Sequence, residues 1–198
     1  MATKADTILN GVYSTLNLTK LNASGKYARI GKVVAQLQKV NKKSKIHEKT
    51  TGTISERLCE LALKAEVGQL YKRVGNDWNW MADFSVYGHP FNLLVSVKSF
   101  KAKERLLASG SGNNLSPIVG WGLFDDASEW NNSKRIQAYL YRSFLAIYMP
   151  KNLLMKLPQA VKDIKNINGK PFLRDLDSFP GDLRKALVQG AHLDVAAF

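Results

Sequence analysis

The chain has very little cysteine: Cys59 is the single one among 198 residues. One cysteine excludes an intrachain disulfide framework and a zinc site built on several thiolates, and it is typical of a reducing compartment. No apolar run approaches the roughly 18 to 20 residues that span a bilayer, and the first residues lack the pattern of a secretory signal. We therefore expect a cytoplasmic protein with no membrane partner.

Acidic residues are also scarce, with 16 Asp and Glu against 29 Lys and Arg, which gives a formal charge of +13. A folded domain this basic most often binds a polyanion, and nucleic acid is the commonest one. The hydrophobic content of 45% excludes a disordered tail and is enough for a core at this length. The sequence has no P-loop and no G-x-G-x-x-G motif, so we expect no nucleotide cofactor.

Basic and polar residues that could contact DNA fall in four places, one of which holds Ser99 and Lys101. Residues 39–49 (KVNKKSKIHEK) hold five lysines against one Glu, which is typical of a solvated helix end or of a phosphate-binding segment. A later helix carries Arg135, Gln137 and Arg142, and a Gly/Ser/Asn-rich loop carries amides that are able to contact base edges. The candidate DNA contacts are Lys42, Lys43, Lys45, Ser99, Lys101, Asn113, Asn114, Arg135, Gln137 and Arg142.

The hydrophobic periodicity predicts helices followed by a mixed region of strands and helices. Thr53 and Glu56 have the spacing of a capping box, which predicts a helix from about Ile54 to Gly68. Alternating apolar residues from Trp78 onward predict two strands joined by a turn at 88–90. The predicted helices are 5–16, 26–41, 54–68, 101–110 and 127–141, with one or two more after 151; the predicted strands are 81–87, 91–98, 118–124 and 144–149.

This order predicts an α/β fold with a mixed sheet, in one compact domain. Residues 53–150 would form the core. Residues 1–52 would form a helical N-terminal region that supplies DNA or dimer contacts, and residues 151–198 would form a C-terminal helical extension.

The chemistry-bearing residues lie around the predicted hairpin. Asp83 opens its first strand and Lys98 ends its second, so the turn should place them opposite each other, with Ser96 on the same face as Lys98. Glu56 and Glu60 share one face of the preceding helix and could add a second carboxylate. Carboxylates bind Mg²⁺, and a lysine can stabilise the transition state of phosphodiester hydrolysis or orient the attacking water.

This set of residues resembles the motif of the PD-(D/E)xK nuclease superfamily, and within it the small Type II restriction endonucleases. Asp83 matches the first Asp of the motif, with Ala82 where a proline often stands, and Ser96-Val97-Lys98 matches (D/E)xK with serine in place of the acid. The resemblance covers residues 54 to about 149. It implies a restriction-endonuclease-like core of helix, β-hairpin, helix and strand.

The resemblance also implies site roles and partners. Asp83, the Val97 backbone carbonyl and a helix glutamate would bind Mg²⁺, and Lys98 and Ser96 would complete the catalytic set. Glu56 and Glu60 both remain candidates for the helix glutamate, because the capping box by itself explains Glu56.

We expect a Mg²⁺-dependent, site-specific endonuclease of double-stranded DNA from a prokaryotic cytoplasm, acting as a homodimer because one site cuts one strand. The alternatives are a structure-selective nuclease, such as a Holliday-junction resolvase, and a non-catalytic DNA- or RNA-binding protein.

Overall fold

A computed structural model describes residues 2–100, 103–109, 116–188 and 192–198. The predicted DNA contacts Lys101, Asn113 and Asn114 lie outside the described residues. The helices are α1 Lys4–Thr15, α2 Ala23–Tyr27, α3 Ile30–Ser44, α4 Glu48–Glu66, α5 Lys103–Ser109, α6 Ser133–Leu140, α7 Lys151–Leu154, α8 Gln159–Lys162 and α9 Phe179–Ala186. None of the described helices is long and apolar enough to cross a membrane.

The strands form a mixed sheet of six strands in sequence order. They are β1 Tyr71–Arg73, β2 Phe84–Val86, β3 Leu93–Lys98, β4 Ile118–Gly122, β5 Phe144–Met149 and β6 Leu173–Asp175. The first three strands are antiparallel, and β3 to β6 run parallel to one another. A small second sheet pairs β7 Leu187–Val188 with β8 His192–Leu193. The predicted α/β class with a mixed sheet is confirmed.

Helices cover both faces of the sheet, because successive side chains of a strand point to opposite faces. On β3, Leu93, Val95 and Val97 belong to the hydrophobic cluster that includes α4 and the other N-terminal helices. Leu94 belongs to a second cluster, which it shares with Leu106 of α5. The sheet is therefore buried on both faces, as expected for parallel strands joined by helical crossovers.

The prediction that a helix begins near Ile54 is wrong, because α4 already begins at Glu48. The His47 side chain caps it by accepting the Lys49 N–H, and the Thr53 hydroxyl donates to the Lys49 carbonyl within the helix. Thr51 is buried, so packing against the core stabilises the extra turn at the N-terminal end. Glu56 consequently lies in the middle of α4 and has no capping role. The predicted end at Gly68 is confirmed, with a positive φ of +58°.

Four other expectations need correction. The predicted helix 26–41 is two helices, α2 and α3, which meet at residues 28–29. The strands of the hairpin are shorter than predicted, and Trp78 and Trp80 lie in turns before β2 instead of in a strand. The C-terminal region is not purely helical, since it adds β6 to the sheet, and the expected boundary between residues 52 and 53 falls inside α4.

Candidate active site at the carboxyl edge of the sheet

One edge of the sheet gathers the ends of several strands, and we call it the carboxyl edge. Because β3 to β6 are parallel, their C-terminal ends at Lys98, Gly122, Met149 and Asp175 all lie there. Strand β2 runs the opposite way, so it begins at the same edge, directly after Asp83. The structure therefore brings Asp83 and Lys98 together, as the hairpin predicts.

The contact between the two is an ion pair. Lys98 Nζ lies 3.4 Å from Asp83 Oδ2, and the Val97 N–H donates to the same oxygen at 2.6 Å. The two side chains are 15% and 20% exposed, so the pair is mostly shielded yet open to solvent on one side. The Asp83 backbone is also fixed, because its N–H donates to the Val95 carbonyl and its carbonyl accepts the Val74 N–H. The carboxylate thus has a defined position at the edge.

Val97 can contribute a second oxygen on the same side of β3. A strand residue directs its N–H and its carbonyl to the same neighbouring strand. Since the Val97 N–H reaches Asp83, the Val97 carbonyl is on the Asp83 side as well. The backbone oxygen that the motif resemblance implies as a metal ligand therefore lies on the same side of β3 as the Asp83 carboxylate.

Ser96 is placed differently from its expected catalytic role. The residue is fully buried, and its hydroxyl lies 2.9 Å from the Ser109 hydroxyl of α5. Ser96 shares a face of the strand with Lys98, but it joins β3 to α5 inside the protein. The structure gives it a packing role.

The helix carboxylates are both engaged by Arg73, which the sequence analysis missed. Arg73 Nη1 donates to Glu56 Oε2 at 2.6 Å, and Arg73 Nη2 lies 3.5 Å from Glu60 Oε2. The Tyr71 hydroxyl donates to the other oxygen of Glu60 at 3.1 Å. Burial acts to lower the pKa of Arg73, but the hydrogen bond and the charges of Glu56 and Glu60 outweigh it, so the pKa is raised.

The charges of the three carboxylates all act on one buried sulfur atom. The pKa of the Cys59 thiol is raised well above its ordinary value, first by burial and then by the negative charges of Asp83, Glu60 and Glu56. All three carboxylates are therefore within electrostatic reach of the same point in α4. Cys59 itself is fully buried, as expected for a small core residue.

The oxygen donors fit Mg²⁺ in part. Among residues 2–100, 103–109, 116–188 and 192–198, no group of three or more His, Cys, Asp and Glu side chains could hold a metal ion. Mg²⁺ in proteins is commonly held by one or two carboxylates together with water and substrate phosphates, and Asp83 with the Val97 carbonyl is such a set. Glu56 or Glu60 would join it only by exchanging its contact with Arg73.

Lys42, near the end of α3, lies at the carboxyl edge. Lys42, Lys43 and Lys45 are exposed. Lys42 lines a cavity of about 180 Å³ together with Asp125, which follows β4, and Asn152, which follows β5. A phosphate backbone that crosses this edge would therefore meet the basic end of α3.

The other described DNA candidates are more scattered. Ser99 follows Lys98 directly and is half-buried, and Arg135 and Gln137 are exposed on α6. Arg142 precedes β5, at the opposite edge of the sheet, where its guanidinium donates to the Ala138 carbonyl. The structure does not bring Arg142 to the Asp83–Lys98 pair.

Comparisons of the chain with protein-family models, with curated proteins and with solved structures found no match. The site is therefore interpreted from its own geometry and from the motif that its residues resemble. The geometry offers a carboxylate, a backbone carbonyl and an ammonium group together, with the exposed Lys42 at the same edge of the sheet.

Proposed function

We propose that this protein is a Mg²⁺-dependent endonuclease of double-stranded DNA with a restriction-endonuclease-like core. The observation that carries the proposal is the position of Asp83 Oδ2, which accepts the Val97 N–H at 2.6 Å and lies 3.4 Å from Lys98 Nζ. A carboxylate, a strand carbonyl and a lysine on adjacent strands are the groups that metal-assisted phosphodiester hydrolysis uses.

The order of elements around the pair supports the proposal. Helix α4, strand β1, the β2–β3 hairpin, helix α5 and strand β4 follow one another along the chain, with β4 parallel to β3. Apart from the additional strand β1, this order agrees with the helix, hairpin, helix and strand that the motif resemblance implies. Asp83 and Lys98 occupy the two motif positions on the hairpin.

Each group at the edge has a separate task in the proposed reaction. Asp83 and the Val97 carbonyl would hold Mg²⁺, which when bound acts as a Lewis acid and lowers the pKa of a coordinated water. Lys98, positioned by Asp83, would orient the attacking water and stabilise the charge that develops on the phosphate. The exposed lysines of α3 would bind neighbouring phosphates of the same strand.

Site specificity and a homodimer complete the proposal. Each chain carries one Asp83–Lys98 pair, so cutting both strands of a duplex at one position requires two chains. A two-fold symmetric dimer on a symmetric target is the simplest arrangement that meets this requirement.

Digestion of a mixed plasmid substrate with Mg²⁺ tests the proposal. We expect wild type to give discrete fragments with Mg²⁺ and none with EDTA, and Asp83→Asn and Lys98→Met each to lower the cleavage rate by about 100-fold or more. Asp163→Asn is the matched control. It also removes one carboxylate, while keeping an acceptor for Gln159. Asp163 precedes Asn166 by three residues, and the Asn166 side chain donates to the Leu145 carbonyl at the opposite edge of the sheet.

Three results would count against the proposal. Wild-type cleavage rates in Asp83→Asn would show that this carboxylate has no part in the reaction. Absence of cleavage by wild type, with tight and strongly salt-dependent duplex binding, would instead favour a non-catalytic DNA-binding protein. Cleavage of branched junctions without cleavage of plain duplex would favour the structure-selective alternative.

A further inference from the structure

The loop between β1 and β2 presents two tryptophans to solvent. Trp78 is 59% exposed and Trp80 is 50% exposed, and their ring centroids lie 6.4 Å apart with an interplanar angle of 33°. The other two tryptophans of the chain, Trp121 and Trp130, are buried in the core. Two exposed neighbouring indoles form an apolar patch of the kind that marks a binding surface.

Hydrogen bonds give this loop a defined shape. The Trp78 N–H donates to the Gly75 carbonyl and the Met81 N–H donates to the Trp78 carbonyl, each at 3.0 Å. The Trp80 indole N–H donates to the Asp77 carbonyl at 3.1 Å. Because the polar end of Trp80 is already satisfied within the loop, its ring face is the part that remains available to a partner.

The loop ends at the proposed active site. The Val74 N–H donates to the Asp83 carbonyl and so closes the base of the loop. Trp80 precedes Asp83 by three residues, which limits the distance between their Cα atoms to about 11 Å. That span corresponds to a few nucleotides of a strand whose bases rise about 3.4 Å apart.

An exposed lysine next to the loop offers a contact for a polyanionic partner. Lys72 on β1 is exposed immediately before the loop, whereas Arg73 and Lys98 are already engaged in ion pairs with carboxylates. Asn76 and Asn79 are exposed within the loop and carry amides that can hydrogen-bond base edges. Flat aromatic faces beside cations are the combination that single-stranded nucleic acid recognises, since every base has a face that can stack.

We propose that Trp78 and Trp80 stack on nucleobases that are unstacked from the duplex, next to the phosphate held at Asp83 and Lys98. This inference rests on the proposed nuclease function for the position of the phosphate. The stacking itself depends only on the loop, so it can be measured without cleavage.

Intrinsic fluorescence in EDTA with a 12-nucleotide oligothymidylate tests the inference. The buried Trp121 and Trp130 give a constant background, so quenching on binding reports on Trp78 and Trp80. We expect wild type to be quenched, and Trp78→Ala and Trp80→Ala each to lose part of the quenching and to weaken binding by roughly 5- to 100-fold. Trp80→Phe should retain most of the affinity, because it keeps an aromatic face.

Tyr141→Ala is the matched control, since Tyr141 is an aromatic residue with 87% exposure at the end of α6, away from the carboxyl edge. It should bind as wild type does. Unchanged affinity and quenching in the Trp78→Ala/Trp80→Ala double variant would overturn the inference. So would quenching of wild type by anionic phospholipid vesicles but not by the oligonucleotide.

The failure of this inference can be separated from failure of the proposed function. Quenching by the oligonucleotide without any cleavage of DNA in Mg²⁺ would support the stacking role and overturn the nuclease assignment. Cleavage that depends on Asp83, with no quenching and no effect of the tryptophan variants, would overturn the stacking role alone.

Discussion

A double-mutant cycle between Asp83 and Lys98 would test whether the ion pair acts as one unit. At 3.4 Å the Coulomb attraction is about 5 kcal/mol for an effective dielectric constant of about 20. Desolvation of the two partly buried groups offsets much of this attraction. Residues in direct contact commonly show coupling of about 0.5 to 3 kcal/mol, and we expect about 1 kcal/mol here.

The two single changes should have similar costs for different reasons. Asp83→Asn keeps an oxygen that can accept the Val97 N–H and should lower the free energy of unfolding by about 1 to 2 kcal/mol. Lys98→Met leaves the Asp83 carboxylate with one partner instead of two, at a similar cost of about 1 to 2 kcal/mol.

Urea unfolding of wild type, both single variants and the double variant at pH 7 gives the four free energies. The sum of the two single-variant losses in unfolding free energy is compared with the loss in the double variant. If they agree to within about 0.3 kcal/mol, the two groups do not interact, and the pairing that underlies the proposed site is refuted. Plasmid cleavage by the same four proteins gives a second cycle. In that cycle we expect both single variants and the double variant to fall to one common background, because residues that act together in catalysis are strongly non-additive.

Three further experiments probe the surroundings of the Asp83–Lys98 pair. Gly122→Ala should lower the free energy of unfolding in urea by about 1 to 3 kcal/mol, because an added Cβ would lie 2.4 Å from the buried Phe124 ring. An unchanged midpoint of urea unfolding would contradict this packing. Replacing Lys42, Lys43 and Lys45 together by Ala should reduce the salt dependence of duplex binding by up to about 2.7 in log–log slope, whereas an unchanged slope would exclude them as phosphate contacts. Burial raises the pKa of the Cys59 thiol, so a thiol reagent should react slowly with the native protein and rapidly in urea; fast native labelling would show that α4 is not packed as described.

Elements with a strong local pattern were predicted well from the sequence. The run at residues 144–149 is apolar throughout and short, and it forms the fully buried strand β5. Strand β3 is similar, and its single charged residue, Lys98, pairs with Asp83. In these segments the length of the apolar run and the flanking turn residues already limit the structure to a buried strand.

Other features depend on contacts between distant parts of the chain. The local signal at Thr53 and Glu56 is a valid helix start in isolation, but packing of Thr51 in the core extends α4 past it. Arg73 stands in a three-residue strand with no periodicity, and its contact with Glu56 arises because β1 pairs with β2. No pattern in the sequence around Arg73 predicts its contact with Glu56.

The two tryptophans show how a correct pattern can give a wrong element. Trp78 and Trp80 are two residues apart, which is the spacing of one face of a strand. The spacing continues into β2, but the intervening residues form turns, with hydrogen bonds from Trp78 to Gly75 and from Met81 to Trp78. The exposure of both indoles follows from these turns, and it is what makes them candidates for binding.

In the proposed function, the carboxyl edge has to attract a divalent cation and a phosphate strand at the same site. Three unpaired carboxylates would favour the cation but repel the phosphates. The structure reduces this conflict because Arg73 pairs with Glu56 and Glu60, while Lys98 pairs with Asp83. The Asp83 carboxylate contacts a single lysine and a backbone N–H, so it is the carboxylate that can bind a metal ion with the least rearrangement. The Asp83 variants are therefore the most direct test of the proposed chemistry.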